Sequence, residues 1–195
     1  MAGGGWARCY TYAMLRRIAF LFLVLLALPL LGQQRPVTVD THADTPTEYM
    51  DSPFDLGVWN TRGHFDYPRM KAGGLDAEFF AAYVPAKYAN KGAAAFCIKI
   101  METIHEMVDN YPQWVRFAGS TSDIRKIVAG GRRAILIGIE GGHAIEDSLL
   151  ALSAFHRLGA RYMTLTHTNT NRWADSAGSF FTFGFDPKKY VVHNG

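Results

Sequence analysis

The chain has 195 residues, 49% hydrophobic and 19% charged, which supplies a sizeable core and excludes a disordered chain. Its formal charge is +3, but Arg8, Arg16 and Arg17 are the only charges before Arg35, and setting those three aside leaves 17 basic residues against 17 acidic ones. A neutral body without a basic run excludes a phosphate-tracking surface, so nucleic acid is not an expected partner.

The first feature in chain order is a leader. Arg16 and Arg17 precede an apolar run from Ile18 to Leu31. As a helix that run spans roughly 21 Å at about 1.5 Å per residue, short of the roughly 30 Å hydrocarbon core of a bilayer. Gly32 then gives way to polar Gln33 and Gln34, the layout of a secretory signal over residues 1–34. Leu30 departs from the small residue expected two positions before a cleavage site, so an uncleaved membrane anchor stays open. Either way, residues 35–195 are expected to be exported. Cys9 lies in the leader and Cys97 is alone in an apolar stretch, so the body has no internal disulfide framework and Cys97 reads as a small buried residue.

After the leader, strand-like and helix-like segments alternate. Val37–Thr41 is predicted as a strand, because β-branched residues follow Pro36 and end in polar groups. Residues 42–74 read as a long functional connection. "LDAEFFAAYV" at 75–84 predicts a second strand. Residues 90–117 predict a helix with Ile98, Met101, Ile104, Val108 and Val115 on one stripe. "STSDIRKIVAGG" carries helix start and stop signals, and "RRAILIGIEGG" is a continuous apolar strand of the kind buried in a parallel sheet. "DSLLALSAFHRLG" predicts a helix capped by Asp147 or Ser148, and "RYMTLTH" a further strand ended by His167. The alternation predicts an α/β fold with about four parallel strands.

Three predicted strand ends carry chemistry. In "VTVDTHADTP", Asp40, His42 and Asp44 alternate, so an extended backbone would put them on one side. An imidazole with a carboxylate is a partial ligand set for zinc or a similar ion, yet H-x-D is equally the look of a turn capped by Asp44. Asp40 reads either as an acceptor supporting His42 or as a structural hydrogen-bond partner. Glu140 ends an apolar strand, where a carboxylate needs a metal, an arginine or a helix to cap. His167 opens the polar run "HTNTN". Other signatures fail: "HEMVD" has Asp109 where a second histidine ligand would stand, "GIEGGH" lacks phosphate-loop spacing, and there is no G-x-S-x-G elbow.

On these residues the sequence resembles the membrane (renal) dipeptidases, zinc metallopeptidases with an amidohydrolase-like barrel. The matching segments are "VDTHADTP", "RMKAGGLDAEFFAAYVP", "IGIEGGHAIEDSLLALSAFHRLGARYMTLTHTNTNRWADS" and the closing "HNG". The resemblance implies a (β/α)₈ TIM barrel holding two zinc ions. It implies His42 and Asp44 as ligands of the first ion, Glu140 as the carboxylate bridging both, and His167 as the contact to the substrate's peptide carbonyl. Dipeptides are the implied substrates, and the chemistry is metal-assisted hydrolysis. Two motifs depart: D-G-H-N-D reads D-T-H-A-D here, and "GGQFWS" reads "LDAEFFA"; neither change touches a ligand. A full barrel takes about 250 residues. The chain is therefore expected to be the N-terminal part of a dipeptidase barrel over residues 35–195, with two further histidines and a catalytic aspartate beyond "HNG". The 195 residues alone are not expected to cleave dipeptides. Another metal-dependent amidohydrolase, of lactonase or phosphoesterase type, and a non-catalytic remnant are the competing readings.

Overall fold

The computed structural model describes residues 14–20 and 35–177. Residues 14–20 are helical and belong to a different compact unit from the one that begins at Val37. The apolar run beyond Phe20 and the closing residues 193–195, His193 included, lie outside the described residues. Among the described residues, no helix is long and apolar enough to cross a membrane.

From Val37 onward the elements are β1 (Val39–Ala43), α1 (Thr45–Asp51), α2 (Tyr67–Ala72), β2 (Ala77–Tyr83), α3 (Ala93–Asp109), β3 (Val115–Phe117), α4 (Thr121–Ala129), β4 (Arg133–Glu140), α5 (Leu149–Arg157) and β5 (Ala160–Met163). Single 3-10 turns lie at Ala86–Tyr88 and Gly142–Ile145. Among the described residues every strand pairing is parallel. β2 lies between β1 and β4; on the other edge of β4, β3 takes the first half and β5 the second. Strands β1, β2, β4 and β5 thus follow one another in chain order. That is the winding of a barrel wall, whereas a doubly wound sheet reverses part-way. The α/β expectation holds, and the sheet is wound like part of a (β/α)₈ barrel.

Burial explains the element choices. Ala134 through Ile139 of β4 are all buried, as a strand covered on both faces requires. On α3 the buried residues Cys97, Ile100, Met101, Ile104, Met107 and Val108 recur at helical spacing and meet Phe80, Ile135 and Ile137 of the sheet. Each such side chain contributes roughly 1.5–3 kcal/mol. Cys97 is fully buried in this core, as expected, and burial pushes its thiol up to about 12. His105, at the edge of α3, ties that helix to the carbonyl of Leu158 at 2.9 Å.

The structure corrects the sequence reading in four places. β1 is shifted to Val39–Ala43. The 42–74 connection contains α1 and α2, each opened by Asp-x-Pro, where proline's fixed φ suits the first helical turn. The helix expected over 90–117 stops at Asp109. Pro112 disfavours helical geometry at Tyr111, and Val115–Phe117 become β3. The last strand ends at Met163, so His167 stands in the following loop rather than at a strand end. Side chains of that loop satisfy its own backbone: Asn171 Oδ1 accepts from the N–H groups of Trp173 and Ala174, and Ser176 donates to the His167 carbonyl.

Candidate metal centre

Because the strands are parallel, the carboxyl ends of β1, β2, β4 and β5 open on one side of the sheet, where such folds place their sites. Ligand-competent atoms of His42, Asp44 and Glu140 lie within 4.8 Å of one another there.

His42 owes its direction to a bulge. The β1–β2 register passes from Asp40↔Glu78 to Ala43↔Phe80, so three residue steps on β1 oppose two on β2. Such an insertion bends the strand and re-aims a side chain. Asp40 accordingly does not support the His42 ring; its Oδ1 accepts from the His42 backbone N–H at 3.1 Å, the structural alternative of the two expected. The ring's Nδ1 instead meets the Tyr162 hydroxyl at 3.1 Å.

Asp44 is brought in by the start of a helix and not by strand alternation. Its backbone has already turned (φ −84°, ψ 8°), and it occupies the N-cap position of α1. The carboxylate makes no cap hydrogen bond; Oδ1 lies 3.4 Å from His42 Nε2. Asp66, at the same position of α2, does cap, accepting from the Arg69 N–H at 2.7 Å. Two Asp-x-Pro helix starts thus use their aspartates differently, and Asp44 leaves its helix uncapped to face the histidine.

Glu140 ends β4 with its side chain 17% exposed. Its Oε2 lies 3.4 Å from His42 Nε2 and its Oε1 lies 3.3 Å from His167 Nε2. Among the described residues the basic side chains that face it are these two histidines, not an arginine. The glycines that follow keep the chain close. Gly141, at φ +108°, donates to Thr164 Oγ1 at 2.7 Å, and a side chain at Gly142 would strike the Leu165 carbonyl. His167 reaches the cluster from the loop, its ring edge-on to Tyr83 with centroids 5.0 Å apart. One nitrogen and two carboxylate oxygens converging on one point are a donor set that suits zinc or a similar divalent ion.

Two tyrosines were not anticipated from the sequence. Tyr83 stands beside Glu140 in the β2–β4 register, and burial, followed by the charges of Glu140 and Asp44, raises its phenol. Burial, then Glu140 and Asp44, pushes the Tyr162 phenol up to about 12. Both lie on strands that the sequence did reveal, but aromatic residues in a strand carry no sign that their hydroxyls meet a site.

Residues 31–189 match the family described as membrane dipeptidase, peptidase family M19. The chain belongs to that family. Mouse dipeptidase 3 is 34% identical over 149 residues, a match covering 73% of this chain and 29% of that protein. Dipeptidase ataJ of Aspergillus terreus is 40% identical over 123 residues, covering 59% of this chain and 30% of that one. The chain therefore spans about 30% of the length of these curated relatives. A solved M19 metallopeptidase, dipeptidase AC, superposes with a TM-score of 0.58 at 26% identity, over 68% of this chain and 43% of its own. The probable dipeptidase PvdM of Pseudomonas aeruginosa shares the fold, with a TM-score of 0.64 at 21% identity over 73% of this chain and 37% of that one.

Proposed function

We propose that the protein is an exported zinc dipeptidase, with residues 1–34 as its leader and residues 35–195 as the N-terminal part of its barrel. The observation that carries this reading is Glu140. In a chain of the membrane dipeptidase family, one of its oxygens faces His42 Nε2 at 3.4 Å and the other faces His167 Nε2 at 3.3 Å. His42, Asp44 and Glu140 would hold one zinc ion, and Glu140 would share its carboxylate with a second.

Bound there, zinc supplies Lewis acidity and a water acidic enough to act as nucleophile near neutral pH. The chain's own residues bind and orient. Asp44 and Glu140 set two negative charges against one imidazole, which favours a dication over a monovalent ion. In this reading His167, its ring kept in place by the edge of Tyr83, holds the substrate's peptide carbonyl and stabilises charge developing on its oxygen. The names of the relatives, dipeptidase 3 and dipeptidase ataJ, support dipeptides as substrates.

The test is a substrate panel on the full-length protein: dipeptides, a lactone and a phosphoester, each before and after chelation. Dipeptide cleavage that a chelator abolishes and zinc restores supports the reading. Turnover confined to the lactone or the phosphoester would replace it with another metal-dependent hydrolase.

A further inference from the structure

We propose that Tyr162 is the positioning residue that fixes His42 as a metal ligand through Nε2. This rests on the metal-dependent reading of the site, and its first readout is the protonation of the His42 ring rather than activity.

Tyr162 starts far from its target. It stands on β5, and β4 and β2 separate that strand from β1. Its ring crosses the sheet face to get there. It lies over Gly138 of β4, where any side chain would collide with the ring, and it leans on Phe79 of β2 with centroids 5.3 Å apart. The hydroxyl then meets two groups of β1: the Thr41 carbonyl at 2.9 Å and His42 Nδ1 at 3.1 Å. The bulge contributes to this meeting, because the paired register skips Thr41 and His42.

Elementary hydrogen-bond accounting fixes the protons. A phenol has one proton to donate, and a carbonyl oxygen only accepts. The Tyr162 proton therefore lies toward Thr41 O, and the phenol oxygen accepts from Nδ1–H of His42. That keeps a proton on Nδ1 and leaves Nε2, the nitrogen that faces Asp44 Oδ1 and Glu140 Oε2 at 3.4 Å each, as the one to offer its lone pair when a cation is bound. A lone pair aimed at two carboxylate oxygens is repulsive by itself and becomes favourable with a cation between them. Partners that orient a ligating histidine in this way typically carry about 10–100-fold in metal affinity. Asp40 cannot take the role, because its carboxylate is turned to the His42 backbone.

The test uses the full-length protein. In the zinc-loaded wild type, nitrogen-15 NMR reads which ring nitrogen of His42 keeps a proton. The expected result is a proton on Nδ1 alone. Tyr162→Phe keeps the ring over Gly138 and removes only the hydroxyl. In it, both tautomers should appear, and zinc affinity by chelator competition should fall about 10–100-fold. A merely structural hydroxyl would shift the unfolding midpoint and leave tautomer and affinity unchanged. A wild-type proton on Nε2, or an unchanged tautomer and zinc affinity in Tyr162→Phe, overturns the proposal. A wild type with the Nδ1 tautomer that binds zinc yet cleaves no dipeptide supports this assignment and removes the proposed function.

Discussion

Gly138 and Tyr162 are register partners across the β4–β5 ladder, and the side chain the glycine lacks is the space the phenol ring fills. The glycine on β4 thereby determines where a hydroxyl from β5 can reach. Gly138→Ala should push the ring aside and cost about 1–3 kcal/mol of stability, the range for overpacking a filled core. It should also weaken zinc binding, and its effect should not add to that of Tyr162→Phe, because both act through one contact. Denaturant unfolding and chelator competition on the two single variants and the double variant measure this. A Gly138→Ala protein with wild-type zinc affinity would show that His42 is aligned without the phenol.

Glu78 gives the fold a pH dependence. It is 1% exposed and its Oε1 has no hydrogen-bond partner among the described residues. Burial, then the neighbouring charge of Asp40, raises its carboxyl from 4.5 to about 8. Between those values the folded state keeps a proton that the unfolded state has lost. Stability is therefore fully present below about pH 4.5 and lost as pH rises through about 8, at no more than about 1.4 kcal/mol per pH unit. Glu78→Gln removes the titration and should flatten this part of the stability profile. Urea midpoints at several pH values decide it, and equal slopes in both proteins would refute the assignment.

Glu146 caps a helix from another part of the chain. Its Oε1 accepts from the N–H groups of Gly92 and Ala93, both at 2.9 Å, at the start of α3, whose own N-cap is a glycine with no side chain to offer. To do so Glu146 adopts φ +48°. Glu146→Ala should cost about 0.5–2 kcal/mol, the range for losing a cap. Glu146→Gln keeps an acceptor oxygen and should cost less. Thermal unfolding of both variants reads the order, and a Gln variant as unstable as the Ala one would count against the cap.

Sequence patterning revealed β4, β2 and the helices around them because their signals are local. Glu140 stood out for the same reason: it is a carboxylate closing an apolar run. Two kinds of feature escaped. α1 and α2 are short helices whose Asp-x-Pro starts sit in a polar, glycine-punctuated stretch that lacks helical periodicity. The bulge at Thr41–His42 and the reach of Tyr162 depend on strand register, which only long-range pairing sets. The idea that Asp40, His42 and Asp44 share a strand face failed for this reason, although two of the three residues belong to the cluster. His167, expected at a strand end, stands in the loop after β5 and faces Glu140 from there.

The central claim is that the Glu140 carboxylate is shared between metal ions. Glu140→Gln in the full-length protein keeps the size of the side chain and removes its charge. Two cations that share one carboxylate repel each other, so losing that charge should weaken both sites rather than one. Metal analysis after dialysis should find the wild type holding two zinc ions per chain and the variant clearly fewer, with dipeptide turnover lost. A variant that retains both ions tightly and turns over dipeptides at the wild-type rate would contradict the account.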